Sequence, residues 1–118
     1  MDVTIFHNPA CSTSRKVLDR LRSFGVSPTV VDYIKTGWTR LQLQDLLKDM
    51  DAKPRDILRT KNDLAAELGL TAPDVKDSRI LDAMVAHPVL VERPIVVGPG
   101  GTAVCRPVET VDELLVSP

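Results

Sequence analysis

A chain of 118 residues with a net charge of −1 is the size of one domain and carries no excess of basic charge to attract nucleic acid or an anionic membrane surface. A hydrophobic share of 43% supplies one core, 26% charged residues is ordinary for a soluble protein, and an aromatic share of 3% leaves that core to Val, Leu, Ile, Ala and Met. No run approaches the roughly 20 apolar residues of a membrane span, and Met1-Asp2-Val3-Thr4 begins no basic-then-apolar leader, so a cytoplasmic protein is expected.

Val3-Thr4-Ile5-Phe6 alternates like a strand, and His7-Asn8-Pro9-Ala10 follows as a loop. A helix is expected from about Ser12 to Phe24, with Val17, Leu18, Leu21 and Phe24 on one face and Gly25 where a C-terminal cap belongs. Thr29-Val30-Val31-Asp32-Tyr33-Ile34 reads as a second strand. This is a βαβ unit, so the two strands should be parallel.

The middle, about residues 39–86, reads as helical. Thr39-Arg40-Leu41-Gln42 resembles a capping box, followed by an apolar stripe of Leu43, Leu46, Leu47 and Met50. Pro54 suits a first-turn position, and Asp63 to Leu68 forms a short helix ending at Gly69. Asp77 to Ala86 is a further helix with Ile80, Leu81, Met84 and Val85 facing in. Strands then return: Val89-Leu90-Val91, Ile95-Val96-Val97 and, after Gly98-Pro99-Gly100-Gly101, Thr102 to Cys105. Pro107 is placed to start a last helix carrying Val108, Val111, Leu114 and Leu115. A βαβ half and a ββα half separated by helices is an α/β domain with a mixed sheet, the thioredoxin-like arrangement with a helical insert. Residues 1–118 are expected to be one such domain, and no sequence feature marks an obligate interface, so a monomer is expected.

The chain has two cysteines, Cys11 and Cys105. A cysteine reacts as thiolate, and a free pKa of about 8.5 leaves little thiolate at neutral pH. Cys11 falls at the expected N-cap of the first helix, where unpaired backbone N–H groups and the positive end of the dipole favour an anion. Ser12, Thr13 and Ser14 bring hydroxyls, Arg15 a positive charge one turn in, and a charged His7 would help further. The alternative is a small buried apolar residue at a strand–helix junction. Ser14 stands where a thioredoxin-type Cys-x-x-Cys pair would have its second cysteine, so an external thiol would have to resolve any adduct, and Ser14 itself is a candidate donor to the Cys11 sulfur. Cys105, inside an expected hairpin strand, reads as buried filler.

Arg59, Arg93 and Arg106 are the candidate oxyanion ligands, since the planar guanidinium makes paired charge-assisted bonds. Taken singly, each also fits a solvated surface charge. Arg93 and Arg106 precede Pro94 and Pro107, which pushes both toward extended backbone. Pro94 would start the first strand of the second half, where thioredoxin-like proteins carry a cis-proline facing the reactive cysteine. Neither His7 nor His87 stands in a metal-ligand spacing with the cysteines, so no metal site is expected, and His87 reads as a helix-end histidine.

The blocks HNPACSTSR (7–15), ILRTKNDLAAELGL (57–70), HPVLVERPIVV (87–97) and CRPVETVDELL (105–115) together resemble the glutaredoxin-coupled arsenate reductases, in the right order over nearly the whole chain. The resemblance implies that Cys11 is a nucleophile that attacks arsenate at arsenic. It implies that glutathione and then glutaredoxin supply the external thiols, with no bound cofactor, and that arsenite leaves. Arg59, Arg93 and Arg106 then match three anion-binding arginines, His7 and Ser14 match residues that lower the cysteine pKa, and Pro94 matches a cis-proline. Position 12 departs from the pattern. Serine stands where arsenate-reducing members carry glycine, adding a Cβ and a hydroxyl where an anion would approach the backbone. Thr60-Lys61-Asn62-Asp63-Leu64 is closer to less characterised relatives. Two other functions use the same scaffold: a glutaredoxin-like reductase of mixed disulfides with no arsenate activity, and a non-catalytic relative of transcription regulators, whose redox switch needs the Cys-x-x-Cys pair absent here.

Overall fold

The computed structural model describes residues 1–117. In chain order the elements are β1 (Thr4–His7), α1 (Ser12–Ser23), β2 (Thr29–Asp32), α2 (Tyr33–Thr36), α3 (Arg40–Met50), α4 (Leu64–Glu67), α5 (Asp77–Ala86), β3 (Ile95–Gly98), β4 (Gly101–Val104) and α6 (Thr110–Leu114), with 3-10 turns at Pro54–Ile57 and Pro88–Leu90. They form two compact units. One holds Met1–Thr36 and the chain from Arg93 onward, the other Gly37–Glu92.

The first unit is built on a four-stranded mixed sheet of order β2-β1-β3-β4. β1 runs parallel to β2, with Ile5 opposite Val30, and antiparallel to β3, with Ile5 opposite Val96. β3 and β4 form an antiparallel hairpin. This β-α-β then β-β-α order is the thioredoxin-like fold read from the sequence. Val17, Leu18 and Leu21 recur on one face of α1 and pack with Val3, Ile5, Val96, Cys105, Val111 and Leu114 in one core. Complete burial of such a side chain stabilises by about 1.5–3 kcal/mol.

The hairpin and α6 fit closely. A Cβ added at Gly98 would meet the carbonyl of Leu114, and one at Gly100 the carbonyls of Glu113 and Val116. The Gly100 N–H donates to Leu114 O at 2.8 Å.

Several expectations are corrected here. Phe24 is not on the buried face: α1 ends at Ser23, and Phe24 is 52% exposed with the Arg20 guanidinium 5.4 Å over its ring. Gly25 then takes φ +79°, which reverses the chain at little steric cost. β2 stops at Asp32 and the chain turns into α2. The last helix does not start at Pro107: residues 107–109 form a turn and α6 begins only at Thr110.

The second unit is helical. Thr39 forms the expected capping box with Gln42, its hydroxyl accepting from the Gln42 N–H at 3.1 Å. Leu43, Leu46 and Leu47 are buried. α5 has the expected bounds, with Ile80, Leu81 and Met84 inside, but Ala83 takes the buried place given to Val85, which is 37% exposed. Val89-Leu90-Val91 is not a strand of the sheet. Pro88–Leu90 is a 3-10 turn, and Val91 makes one antiparallel bridge to Leu58. That bridge is flanked by Arg59 N–H to Leu90 O at 2.7 Å and Glu92 N–H to Ile57 O at 2.8 Å. Among the described residues, no helix is long and apolar enough to cross a membrane.

Candidate active site

Cys11 is the N-cap of α1, in extended backbone at φ −92° and ψ 122°, with no side-chain cap on the helix. The N–H groups of the first turn of α1, Ser14 among them, are therefore available to the cysteine side. The loop that delivers Cys11 is hydrogen-bonded throughout. Cys11 N–H donates to Asn8 O at 3.0 Å, Ala10 N–H to Asn8 Oδ1 at 3.0 Å, and the Arg15 guanidinium to Pro9 O at 2.8 Å.

Arg93 and Arg106 reach the same place because the hairpin sets their junctions side by side. Ile95 is in register with Val104, and Cys105 N–H donates to Pro94 O at 2.9 Å. Both following peptides, Arg93–Pro94 and Arg106–Pro107, are cis. The Arg106 guanidinium donates to Arg93 O at 3.0 Å and to the Cys11 sulfur at 3.9 Å. Arg93 is 9% exposed, and its guanidinium lowers the pKa of the same sulfur.

Burial alone pushes the Cys11 thiol up. The Ser14 backbone N–H, the Arg93 guanidinium and the Arg106 guanidinium oppose it and bring the pKa down to about 7. The thiolate of Cys11 is thus favoured at neutral pH relative to that of a free cysteine.

His7, Ser14 and Arg15 lie at the site, in arrangements the sequence did not indicate. The Ser14 hydroxyl faces His7 rather than the sulfur. It lies 2.5 Å from His7 Nδ1 and accepts from the Asn8 N–H at 3.1 Å. What Ser14 gives the sulfur is its backbone N–H. His7 ends β1, 6% exposed, and burial lowers its pKa more than Asp32 raises it, so the imidazole is held neutral and not charged. Arg15 secures the loop at Pro9. Arg59 belongs to the second unit, where its side chain is 11% exposed and sits 3.6 Å from the Glu92 carboxylate. Cys105 is fully buried, and burial pushes its pKa up to about 12, which leaves it unreactive. Among the described residues, no three His, Cys, Asp or Glu side chains come together to hold a metal.

Two contributors were missed. Asn8 shapes the loop, and its Asn-Pro dipeptide was the available turn signal. The second cis bond, at Pro107, carried the same Arg-Pro dipeptide as the first.

A thioredoxin-like domain with a cysteine at a helix N-terminus beside an arginine pair is the class that fold and site define. The chain belongs to the ArsC family, whose model matches residues 6–114. It is 50% identical to the arsenate reductase ArsI2 of Synechocystis sp. over 96% of this chain and 81% of that one. It is 46% identical to the arsenate reductase of Escherichia coli K12 over 97% of this chain and 81% of that one. The solved structure of the arsenate reductase from Vibrio cholerae superposes with a TM-score of 0.92 at 39% identity, covering 98% of each chain.

Proposed function

We propose that this protein is an arsenate reductase whose nucleophile is Cys11. The observation that carries the reading is a half-buried Cys11 at the N-cap of α1 with the Arg106 guanidinium 3.9 Å from its sulfur and 3.0 Å from Arg93 O. That arrangement stabilises a thiolate and leaves positive charge beside it for the oxyanion it attacks. The relatives named above as arsenate reductases identify the oxyanion.

The Cys11 thiolate attacks arsenic. An arsenic–sulfur bond forms, one arsenic–oxygen bond breaks, and that oxygen leaves as water after protonation. Two external thiols are then oxidised to one disulfide. Their two electrons take arsenic from the +5 to the +3 state, the arsenic–sulfur bond breaks, and arsenite and the Cys11 thiolate are released. Both thiols come from outside because Ser14 occupies the resolving position and Cys105 is buried. Glutathione followed by glutaredoxin fits this need, and no bound cofactor is required. Arg93 and Arg106 hold the anion, and His7, Ser14 and Arg15 keep the thiolate and its loop in place. Arg59 is assigned to the anion on the family resemblance, the cytoplasm is the compartment, and the protein acts as a monomer.

The test is arsenate-dependent oxidation of reduced glutathione in the presence of glutaredoxin, with wild type and Cys11→Ser side by side. Turnover in wild type that Cys11→Ser abolishes is expected. No turnover above Cys11→Ser, together with reduction of a glutathionylated peptide without arsenate, would assign a mixed-disulfide reductase instead.

A further inference from the structure

Asn8 is the one asparagine that is buried, at 8% exposed, although Pro9 and Ala10 beside it are exposed. It lies outside any helix, one residue past the end of β1. Three of its polar groups are engaged, and each serves the chain around Cys11. Its backbone carbonyl accepts from Cys11 N–H at 3.0 Å and closes a turn over Pro9 and Ala10. Its side-chain Oδ1 accepts from Ala10 N–H at 3.0 Å, a second tie across the same turn. Its own N–H donates to Ser14 Oγ at 3.1 Å, tying the loop to the first turn of α1.

We propose that Asn8 is a positioning residue for the reaction: its side-chain carbonyl locks the loop that sets the Cys11 sulfur at the N-terminus of α1. The next two N–H groups after Asn8, on Ala10 and Cys11, both donate to Asn8. That leaves the first N–H groups of α1 to meet negative charge. Cutting the Oδ1 tie frees Ala10 and lets the sulfur drift from its donors. The groups that act on the sulfur, Arg93 and Arg106, stand on the hairpin junctions and are untouched by the change.

The inference rests on Cys11 being the reactive thiol, but its test needs no arsenate, so the two can fail separately. The measurement is ultraviolet thiolate absorbance against pH for wild type, Asn8→Ala and Asn8→Ser, with melting temperatures recorded alongside. Cys105 stays silent below about pH 10 because its pKa is pushed up to about 12. Asn8→Ala is expected to raise the Cys11 pKa by about half a unit to one unit, a roughly two- to fivefold loss of thiolate at pH 7. Asn8→Ser, whose hydroxyl makes the same turn to the residue two places on, is expected to recover at least half of that shift. If Asn8→Ala does not fold, Asn8→Gln replaces it, since one more methylene takes the carbonyl out of the turn. A loop-breaking variant that melts lower yet keeps the wild-type thiolate pKa overturns the proposal. So does a serine variant whose pKa stays with alanine's.

Discussion

At Cys11 a burial cost and three donors compete, and the donors win. Arg93 and Arg106 each supply a charge-assisted contact to the sulfur, so removing either guanidinium should move the pKa back toward the free value of about 8.5. Arg93→Met and Arg106→Met are each expected to raise it by about half a unit or more. Thiolate absorbance titration checks this, and an unmoved midpoint in both variants would remove the arginines from the sulfur. His7 sets a separate pH signature. Burial depresses its folded-state pKa, so the unfolded chain takes the proton first. The stability that the neutral imidazole contributes is present above about 6.5 and is lost as pH falls toward the lower folded value. Urea unfolding at pH 7 and at pH 5.5 should show a smaller loss for His7→Gln than for wild type. The Cys11 thiolate contributes stability in the same direction at higher pH, present above about 8.5 and lost as pH falls through about 7.

At the scale of elements, the β3–β4 hairpin carries Arg93 and Arg106 at its two outer ends, and α6 holds the hairpin from outside. Gly98 has no room for a side chain, since a Cβ there would press on the Leu114 carbonyl. Gly98→Ala should cost about 1–3 kcal/mol through this clash with backbone. That is a fall in melting temperature of roughly 5–15 °C for a chain of this size, and thermal unfolding followed by circular dichroism checks it. A melting temperature unchanged within a degree would show that the hairpin and α6 are loosely packed. Helices were the easiest elements to read, because their signals are local. The Thr39–Gln42 capping box and the apolar rhythm of α5 appear as expected. The reading failed at chain junctions. The run Val89–Val91 has strand-forming residues, yet Pro88 starts a 3-10 turn there and only Val91 makes a bridge. α6 starts at Thr110 and not at Pro107, since residues 107–109 turn ahead of it.

For the whole molecule, the order of strands and helices in the first unit was legible because a βαβ start and a ββα finish leave few topologies. The position of Cys11 at a helix N-terminus followed from that order. The direction of the Ser14 hydroxyl and the charge on His7 did not, because both depend on burial and on which neighbours face one another. Arg59 belongs to the second unit, and its side chain is 11% exposed. Arg59→Ala should weaken arsenate binding by about tenfold or more, as expected for loss of a charged hydrogen-bond donor. Lys48→Ala, an exposed control on α3, should leave it within about twofold. Arsenate affinity by calorimetry compares them, and equal effects would make Arg59 an ordinary surface charge.

The central claim is that Cys11 is a thiolate that meets the oxyanion. The rate of iodoacetamide alkylation of Cys11 against pH, with and without arsenate, tests it most directly. The expected rate rises with a midpoint at about 7, and arsenate slows it. A midpoint near the free value of about 8.5 with no protection by arsenate would contradict the claim.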